Sequence, residues 1–441
     1  MIKTFKKAKE FVFSHIPNSN FKFQGSNGFE RSRYFMSLIG NPQNNIKIVH
    51  VSGTSGKGST SYFLESLFRY HGFKTGLYTS PHIIDITERI IISGTPIEES
   101  IFVDVLNDIV PAIEKMKKSK YQTVTYFEIL VGMAFKAFEK MGIDIAIVEV
   151  GMGGLLDTTN TIENEDKINV ISSIGLDHVE FLGNTLEKIA FQKAGIIKKN
   201  NLVIALKQSS EIMKVIEKKS NTENARITKM NPSQIEILSN NQFGSLYNFE
   251  GFVNIELTAL GGYQIINSAL ALKAFIEASK FWKFEAENTK VYKALKSVKV
   301  PARFDLRQVN GENIIFDGAH NSQKIENFLS SLSEIYPNQK FHFLLGLKKG
   351  KEIESIIKPI IKFADSIILT SFFSQYQDIK SFSETPEDLE KILIKENYKN
   401  YQIEKNIEKA FELFLKKKGS QKVVTGSLLM ISEIYEKIIE N

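Results

Sequence analysis

Short apolar runs and amphipathic stretches alternate through most of this chain, the rhythm of strands and helices taken in turn. Residues 46–51, 75–78, 143–150 and 168–173 are apolar segments of strand length, the pattern of strands covered on both faces. Residues 58–71, 97–116 and 185–197 instead show helical spacing. Leu64, Leu67 and Phe68 line one face of the first, and Leu186, Ile189, Ala190, Ala194 and Ile197 one side of the last. Residues 123–142 add a helix whose Phe127, Leu130, Val131, Ala134, Phe135 and Phe138 face the core, with Glu128 where the helix dipole favours a carboxylate.

Ahead of these lie a first helix, a polar loop over 18–28 and a second helix around 33–39, stopped by Gly40 and Pro42. From 208 to 257 the pattern weakens into short alternating runs between Asn and Ser turns, which predicts small antiparallel strands. A further helix begins near Tyr263, with Gln264 and Asn267 close to its start. Helical patterning stops again over 299–311. From 313 on, strands at 313–317, 341–345, 366–370 and 422–426 alternate with helical segments. The reading is an α/β protein in two parts: a mainly parallel sheet over 1–299, a linker at 300–311, and a smaller Rossmann-like α/β domain over 312–441.

At 441 residues, 42% apolar and 24% charged, the chain can bury full cores in both parts. Its net charge of +6 is spread without long like-charged blocks, which suits small anionic substrates rather than nucleic acid. Without cysteine there are no disulfides, thiolate nucleophiles or Cys-bound metals, so metal chemistry must use oxygen and histidine. The basic, amphipathic N-terminus lacks the apolar core of a secretory signal, and no run of apolar residues has membrane-spanning length. A cytoplasmic protein with no membrane partner is expected.

Chemistry concentrates where strands end. The strand at 46–51 runs into VHVSGTSGKGST at 49–60, a glycine-rich turn opening a helix. In this setting backbone N–H groups and a helix dipole hold phosphate, and Lys57 would neutralise the terminal phosphates. The loop departs from the usual phosphate-loop pattern, with Val51 for a glycine and Gly58 for the metal-binding hydroxyl. A hydroxyl ligand must then come from elsewhere, and Ser80, expected with His82 on an exposed turn, is the candidate. Glu149 closes the strongest strand pattern in the chain and is followed by glycines, which suits a Mg²⁺ ligand. Asp177 and His178 follow the strand at 168–173 and face the same edge. Lys193 lies among small residues, where burial would free its amine; a lysine that snorkels to solvent is the alternative. In the second part, residues 317–321 (DGAHN) end a strand and face a ligand by the same rule.

Together these residues resemble the folylpolyglutamate synthase and dihydrofolate synthase family of the Mur ligases. The likeness rests on nine segments in order: GTSGKGST, TSPH with ERI, YFE, EVGMGGLLDTTN, IGLDH, KAGIIK, YQIIN, DGAHN and TGS. It implies that Gly53, Thr54, Ser55, Gly56, Lys57, Gly58, Ser59 and Thr60 hold the phosphates of ATP. It also implies that Ser80, Glu149 and His178 hold Mg²⁺, two ions in all, and that Lys193 is carbamylated. Asn267, Arg303, Asp317 and His320 match nucleotide contacts on the two sides of an interdomain cleft. Asp157 matches a position at the pterin pocket, and Thr158, His82 and Ser427 are assigned with it to substrate. The chain departs from the family pattern at Ser55, Leu155, Ala302, Ser322 and 350–352.

The resemblance implies a monomeric ligase. ATP would phosphorylate a dihydropteroate or reduced-folate carboxylate, L-glutamate would displace phosphate, and Lys57, Lys193 and His178 would serve the chemistry. A peptidoglycan-type ligase would carry a substrate domain ahead of the loop, where 45 residues precede Ile46. A regulatory phosphate-loop ATPase leaves Lys193 and the second α/β part without a role.

Overall fold

The apolar runs line up edge to edge. In the computed structural model, which describes residues 1–17, 25–374, 377–378 and 380–436, eight strands form one sheet. They are β1 (Lys47–Ser52), β2 (Thr75–Tyr78), β3 (Ile90–Ile92), β4 (Thr95–Pro96), β5 (Ile145–Glu149), β6 (Ile168–Ile171), β7 (Leu202–Leu206) and β8 (Arg226–Met230), in the order β4-β3-β2-β5-β1-β6-β7-β8. From β2 to β8 neighbours run parallel, while β3 and β4 turn back antiparallel at one edge. Every residue of β5 and β7 is buried, as continuous apolar strands require when helices cover both faces. One core gathers Phe102, Phe135 and Phe138 from helices Glu99–Lys117 and Tyr126–Lys140; another gathers Ile189, Val203 and Ile216.

Two helices depart from the sequence reading. Helix Gly25–Leu38 begins well before the expected 33, so residues 25–28 of the predicted loop are helical, and 18–24 lie outside the described residues. Residues 208–257 are not all antiparallel strands. Helix Ser210–Thr222 packs Ile212, Met213, Ile216 and Ser220 inward, and β8 joins the main sheet in parallel. Polar residues between so few buried positions hide the helical period. Only β9 (Glu236–Asn241), β10 (Gly244–Phe249) and β11 (Phe252–Leu257) form the small separate sheet.

The chain forms two compact units: Met1–Glu236, Asn248–Ile255 and Ile266–Val298 in one, and Ile237–Tyr247, Glu256–Ile265 and Lys299–Asn441 in the other. The second unit holds β12 (Asp305–Val309), β13 (Glu312–Asp317), β14 (Phe341–Leu345), β15 (Ala364–Leu369), a ribbon of β16 (Phe373–Ser374) and β17 (Ser381–Phe382), β18 (Tyr401–Ile403) and β19 (Gln421–Thr425). Its sheet runs β12-β13-β19-β14-β15-β18, parallel except for β12. Residues 300–311, read as a linker, therefore contain an edge strand of this sheet. No helix among the described residues is long and apolar enough to cross a membrane.

Candidate active site

β1 sits in the middle of its sheet, between β5 and β6, so the loop that follows it opens among the carboxyl ends of its neighbours. Helix Lys57–Tyr70 starts there, with Gly56 as N-cap at φ 89 and no side chain capping it. Its first amides, on Lys57, Gly58 and Ser59, have no carbonyl one turn back to bond, and the helix dipole adds positive potential. Thr54 and Ser55, expected in the phosphate cradle, give their amides to the Ser173 carbonyl at 2.7 and 3.1 Å. Thr54 Oγ1 also exchanges hydrogen bonds with both Gly175 backbone groups. These two residues brace the loop, and the helix amides remain for an anion.

Other groups press on the same loop. Lys193, near the end of helix Leu186–Ala194, is buried and donates from Nζ to the Gly53 carbonyl at 2.7 Å, so it does not snorkel. A Cβ added to Gly56 would lie 2.3 Å from Asn267 Oδ1, and one on Gly53 would lie 2.0 Å from Ser172 Oγ. Both positions thus need glycine for space as well as for φ.

Glu149 ends β5 with only 5% of its surface exposed, its Oε1 4.0 Å from Lys57 Nζ. The Ser80 amide donates to Glu149 Oε2 at 3.2 Å. A Cβ at Gly58 would stand 3.4 Å from that oxygen, so the carboxylate fills the space that a hydroxyl side chain after the lysine would take. The Glu149 carboxylate, with Ser80 beside it, offers oxygen donors of the kind that a hard cation such as Mg²⁺ takes. Among the described residues no three His, Asp or Glu side chains converge as a cation cage. A bound Mg²⁺ would therefore complete its shell with phosphate oxygens and water. His178 is half-buried at φ 51, and its amide donates to Asp177 Oδ1. His82 is not on an exposed turn: it is buried, its Nδ1 accepts from Arg89 Nε at 2.9 Å, and burial, with help from Arg89, pushes its pKa well below the usual value. It braces the loop after Ser80 from inside.

The glycine run after β5 leads into the turn Thr158–Thr161, with Asp157 as N-cap. Asp157 Oδ1 accepts from Thr159 N at 2.9 Å and Thr159 Oγ1 at 2.6 Å; Oδ2 accepts from Met152 N at 2.9 Å. Burial raises its carboxyl pKa, and these hydrogen bonds oppose the rise. A Cβ on Gly151 would meet the Phe127 ring at 2.4 Å and Asp157 Oδ2 at 3.1 Å. The bare glycine thus lets an aromatic ring and a carboxylate edge converge. Phe127, read from its spacing as core, is only half-buried, and the spacing held no sign of this. Thr158 lies buried with its Oγ1 3.0 Å from Ser32 Oγ, which reaches Glu128 Oε1 at 2.7 Å. Its hydroxyl serves the packing of helix Gly25–Leu38. Leu155 gives its amide to Gln192 O and leans its side chain onto Gly195.

In the second unit, Asp317 ends β13 and is 3% exposed. Its Oδ2 accepts from Tyr263 OH at 2.6 Å and Phe304 N at 2.8 Å, and its Oδ1 from Ala319 N at 2.9 Å. Burial raises the Asp317 carboxyl, with the Arg303 charge opposing; burial and the Asp317 charge push the Tyr263 phenol well up. Arg303 is half-buried and close to Gly318, where a Cβ would lie 2.7 Å from Nη1. His320 Nδ1 is 2.7 Å from the Gly318 carbonyl, which fixes a proton there, and Nε2 is 3.1 Å from Lys324 Nζ. Ser427 follows the neighbouring strand β19 and caps helix Leu428–Ile434 by accepting from Leu429 N, so its hydroxyl has a structural partner. Ala302, one of the departures from the family pattern, has φ 53.

Residues 51–275 match the Mur ligase middle domain, and residues 302–437 match the dihydrofolate synthetase C-terminal domain. The chain is 28% identical to the dihydrofolate synthase/folylpolyglutamate synthase of Bacillus subtilis across 99% of its own length and 100% of the relative's. It is 31% identical to the probable dihydrofolate synthetase of Schizosaccharomyces pombe, across 92% of this chain and 97% of that one. The crystal structure of folylpolyglutamate synthase from Thermotoga maritima shares the fold at a TM-score of 0.81 and 25% identity, covering 99% and 96% of the two chains. Mycobacterium tuberculosis folylpolyglutamate synthase complexed with ADP does so at 0.85 and 24%, covering 97% of each. A phosphate-ready loop on a parallel sheet, with a Mur ligase middle domain matching more than half of the chain around it, is thus no isolated likeness, and the chain belongs to the dihydrofolate synthase/folylpolyglutamate synthase family of Mur ligases.

Proposed function

We propose that this protein is an ATP-dependent ligase joining the amine of L-glutamate to the carboxylate of dihydropteroate or of a reduced folate, with release of ADP and phosphate. The observation that carries this reading is the uncapped start of helix Lys57–Tyr70, with the Lys57 ammonium and the Glu149 carboxylate 4.0 Å apart beside it. That arrangement offers amides and a cation to phosphate and an oxygen ligand to a metal. The Phe127 ring and Asp157 carboxylate over Gly151 suit a flat heteroaromatic ring that stacks on one and donates an N–H edge to the other.

A carboxylate oxygen of the acceptor attacks the γ-phosphorus of ATP, and the bond to ADP breaks. Lys57 and the first helix amides hold the phosphates in line and balance their charge. The glutamate amine then attacks the acyl phosphate carbonyl, and phosphate leaves as the amine gives up its proton. Ser80 and Glu149, with His178 for a second ion, would hold the Mg²⁺ that supplies charge neutralisation to phosphoryl transfer. Carbamylation of Lys193 belongs to the same reading, since it would replace a buried cation under the loop by an anion. Asn267, packed on Gly56, is assigned to the nucleotide. The reaction suits a cytoplasmic monomer.

The test is ADP release by purified protein with MgATP, glutamate and bicarbonate, with dihydropteroate in one tube and tetrahydrofolate in another. Turnover with both acceptors makes the enzyme bifunctional, and turnover with tetrahydrofolate alone makes it a polyglutamylating enzyme. No turnover in either tube, with ATP bound, would contradict the folate reading.

A further inference from the structure

His50 lies on β1, the central strand, flanked by Val49 and Val51, and is completely buried. Its Nε2 is 2.8 Å from Thr159 Oγ1, and that oxygen is 2.6 Å from Asp157 Oδ1. The protons in this chain can be placed. Asp157 accepts from the amides of Met152 and Thr159, as an ionised carboxylate does, and a carboxylate has no proton to give. Thr159 therefore donates its single hydroxyl proton to Asp157. The contact between Thr159 and His50 must then be filled from the imidazole, with a proton on Nε2. That leaves Nδ1 bare, and Nδ1 has no hydrogen-bond partner among the described residues.

A neutral imidazole with one nitrogen desolvated and unsatisfied is a poor choice for a buried position on a central strand. An aliphatic side chain would serve a core strand better. What the ring does provide is direction: its N–H holds the lone pair of Thr159 Oγ1 on one side, which points the hydroxyl proton at Asp157 Oδ1. Two donors from Thr159 on Oδ1 and the Met152 amide on Oδ2 together hold the carboxylate in rotation, with Oδ2 over Gly151 beside the Phe127 ring. Burial, with the nearby Lys167 and Lys198 charges, keeps the imidazole neutral, so the direction of the chain does not reverse.

We infer that His50 is a positioning residue which, acting through the Thr159 hydroxyl, helps to fix the rotation of the Asp157 carboxylate at the acceptor site. This rests on the reading of Asp157 as a contact for the pteroate ring. The inference assigns no contact between His50 itself and any substrate.

The experiment measures KM for each substrate and the melting temperature of the full chain and of His50→Leu, His50→Gln, Thr159→Val and Asp157→Ala. Asp157→Ala should raise the acceptor KM by about tenfold or more, the loss expected when a hydrogen bond to a charged group is removed. His50→Leu and Thr159→Val should each raise it about three- to tenfold, as loss of one neutral hydrogen bond does, while KM for ATP stays within about twofold. His50→Gln keeps an N–H at the same reach and should restore the acceptor KM. His50→Leu should melt no lower than the parent protein, because it removes an unsatisfied buried nitrogen. In the Asp157→Ala background it should add nothing further to the acceptor KM. An unchanged acceptor KM in His50→Leu, with the Asp157→Ala effect present, would overturn the inference and leave the Asp157 reading standing. An unchanged acceptor KM in Asp157→Ala would overturn both. Equal losses for ATP and acceptor together with a lowered melting temperature would reduce His50 to a packing residue and overturn the inference.

Discussion

Among the buried imidazoles, His50 and His82 are held by burial well below their ordinary value of 6.5. In the unfolded chain each takes up a proton near 6.5; in the folded chain each resists it. The unfolded state therefore binds more protons as pH falls below that value, and stability drops. Above 6.5 this contribution is fully present, and it is lost progressively as the medium is acidified toward the depressed folded values. Urea unfolding at pH 7 and at pH 5 should show a lower midpoint at pH 5, and His50→Leu should narrow the gap. A gap of the same size in that variant would mean that other groups carry the acid sensitivity. At this scale the sequence is informative only where residue type and strand end coincide. Glu149 and Ser80 are legible because each stands at the end of an apolar strand beside the glycine loop, and the structure brings the Ser80 amide onto the Glu149 carboxylate. The burial of His82 is not, because nothing in TSPHIIDITERI announces that Arg89 folds back onto it.

Helix Tyr126–Lys140 shows what an element gains from its first turn. Thr125 caps it and Glu128, placed in the first turn by the dipole argument, also closes a capping box. The structure adds that Glu128 also accepts from Arg31 Nε at 2.9 and 3.0 Å and from Ser32 Oγ, so one buried carboxylate ties helix Gly25–Leu38 to helix Tyr126–Lys140. Such a partner lies far away in sequence and leaves no local pattern. Removing the cap with Thr125→Ala should cost about 1 kcal/mol. Glu128→Ala should cost about 3–5 kcal/mol, because it leaves a buried guanidinium without its counter-charge. Urea unfolding of both variants checks the ranking; equal costs would show that Arg31 finds another partner. Helix Ser210–Thr222 is the converse case, an element that only its packing against helix Leu186–Ala194 makes visible.

For the whole molecule, the parallel run from β2 to β8 places the ends of β1, β2, β5 and β6 along one edge, where Lys57 and Ser80 come up beside Glu149. This convergence can be read from the sequence because apolar strands that end in polar, glycine-rich turns have few other uses. The allotment of residues 237–247 and 256–265 to the second unit cannot, since both lie in stretches of weak alternation. The net charge of +6 fits the proposed substrates, which are anions: ATP, glutamate and a pteroate-type carboxylate. The central claim is that the acceptor carboxylate is activated by phosphoryl transfer before the amine arrives. Its most direct measurement uses an acceptor labelled with heavy oxygen in its carboxylate, turned over with MgATP and glutamate, with the released phosphate analysed by mass spectrometry. The account predicts one labelled oxygen in the phosphate for each amide formed. Amide formation with unlabelled phosphate would contradict it.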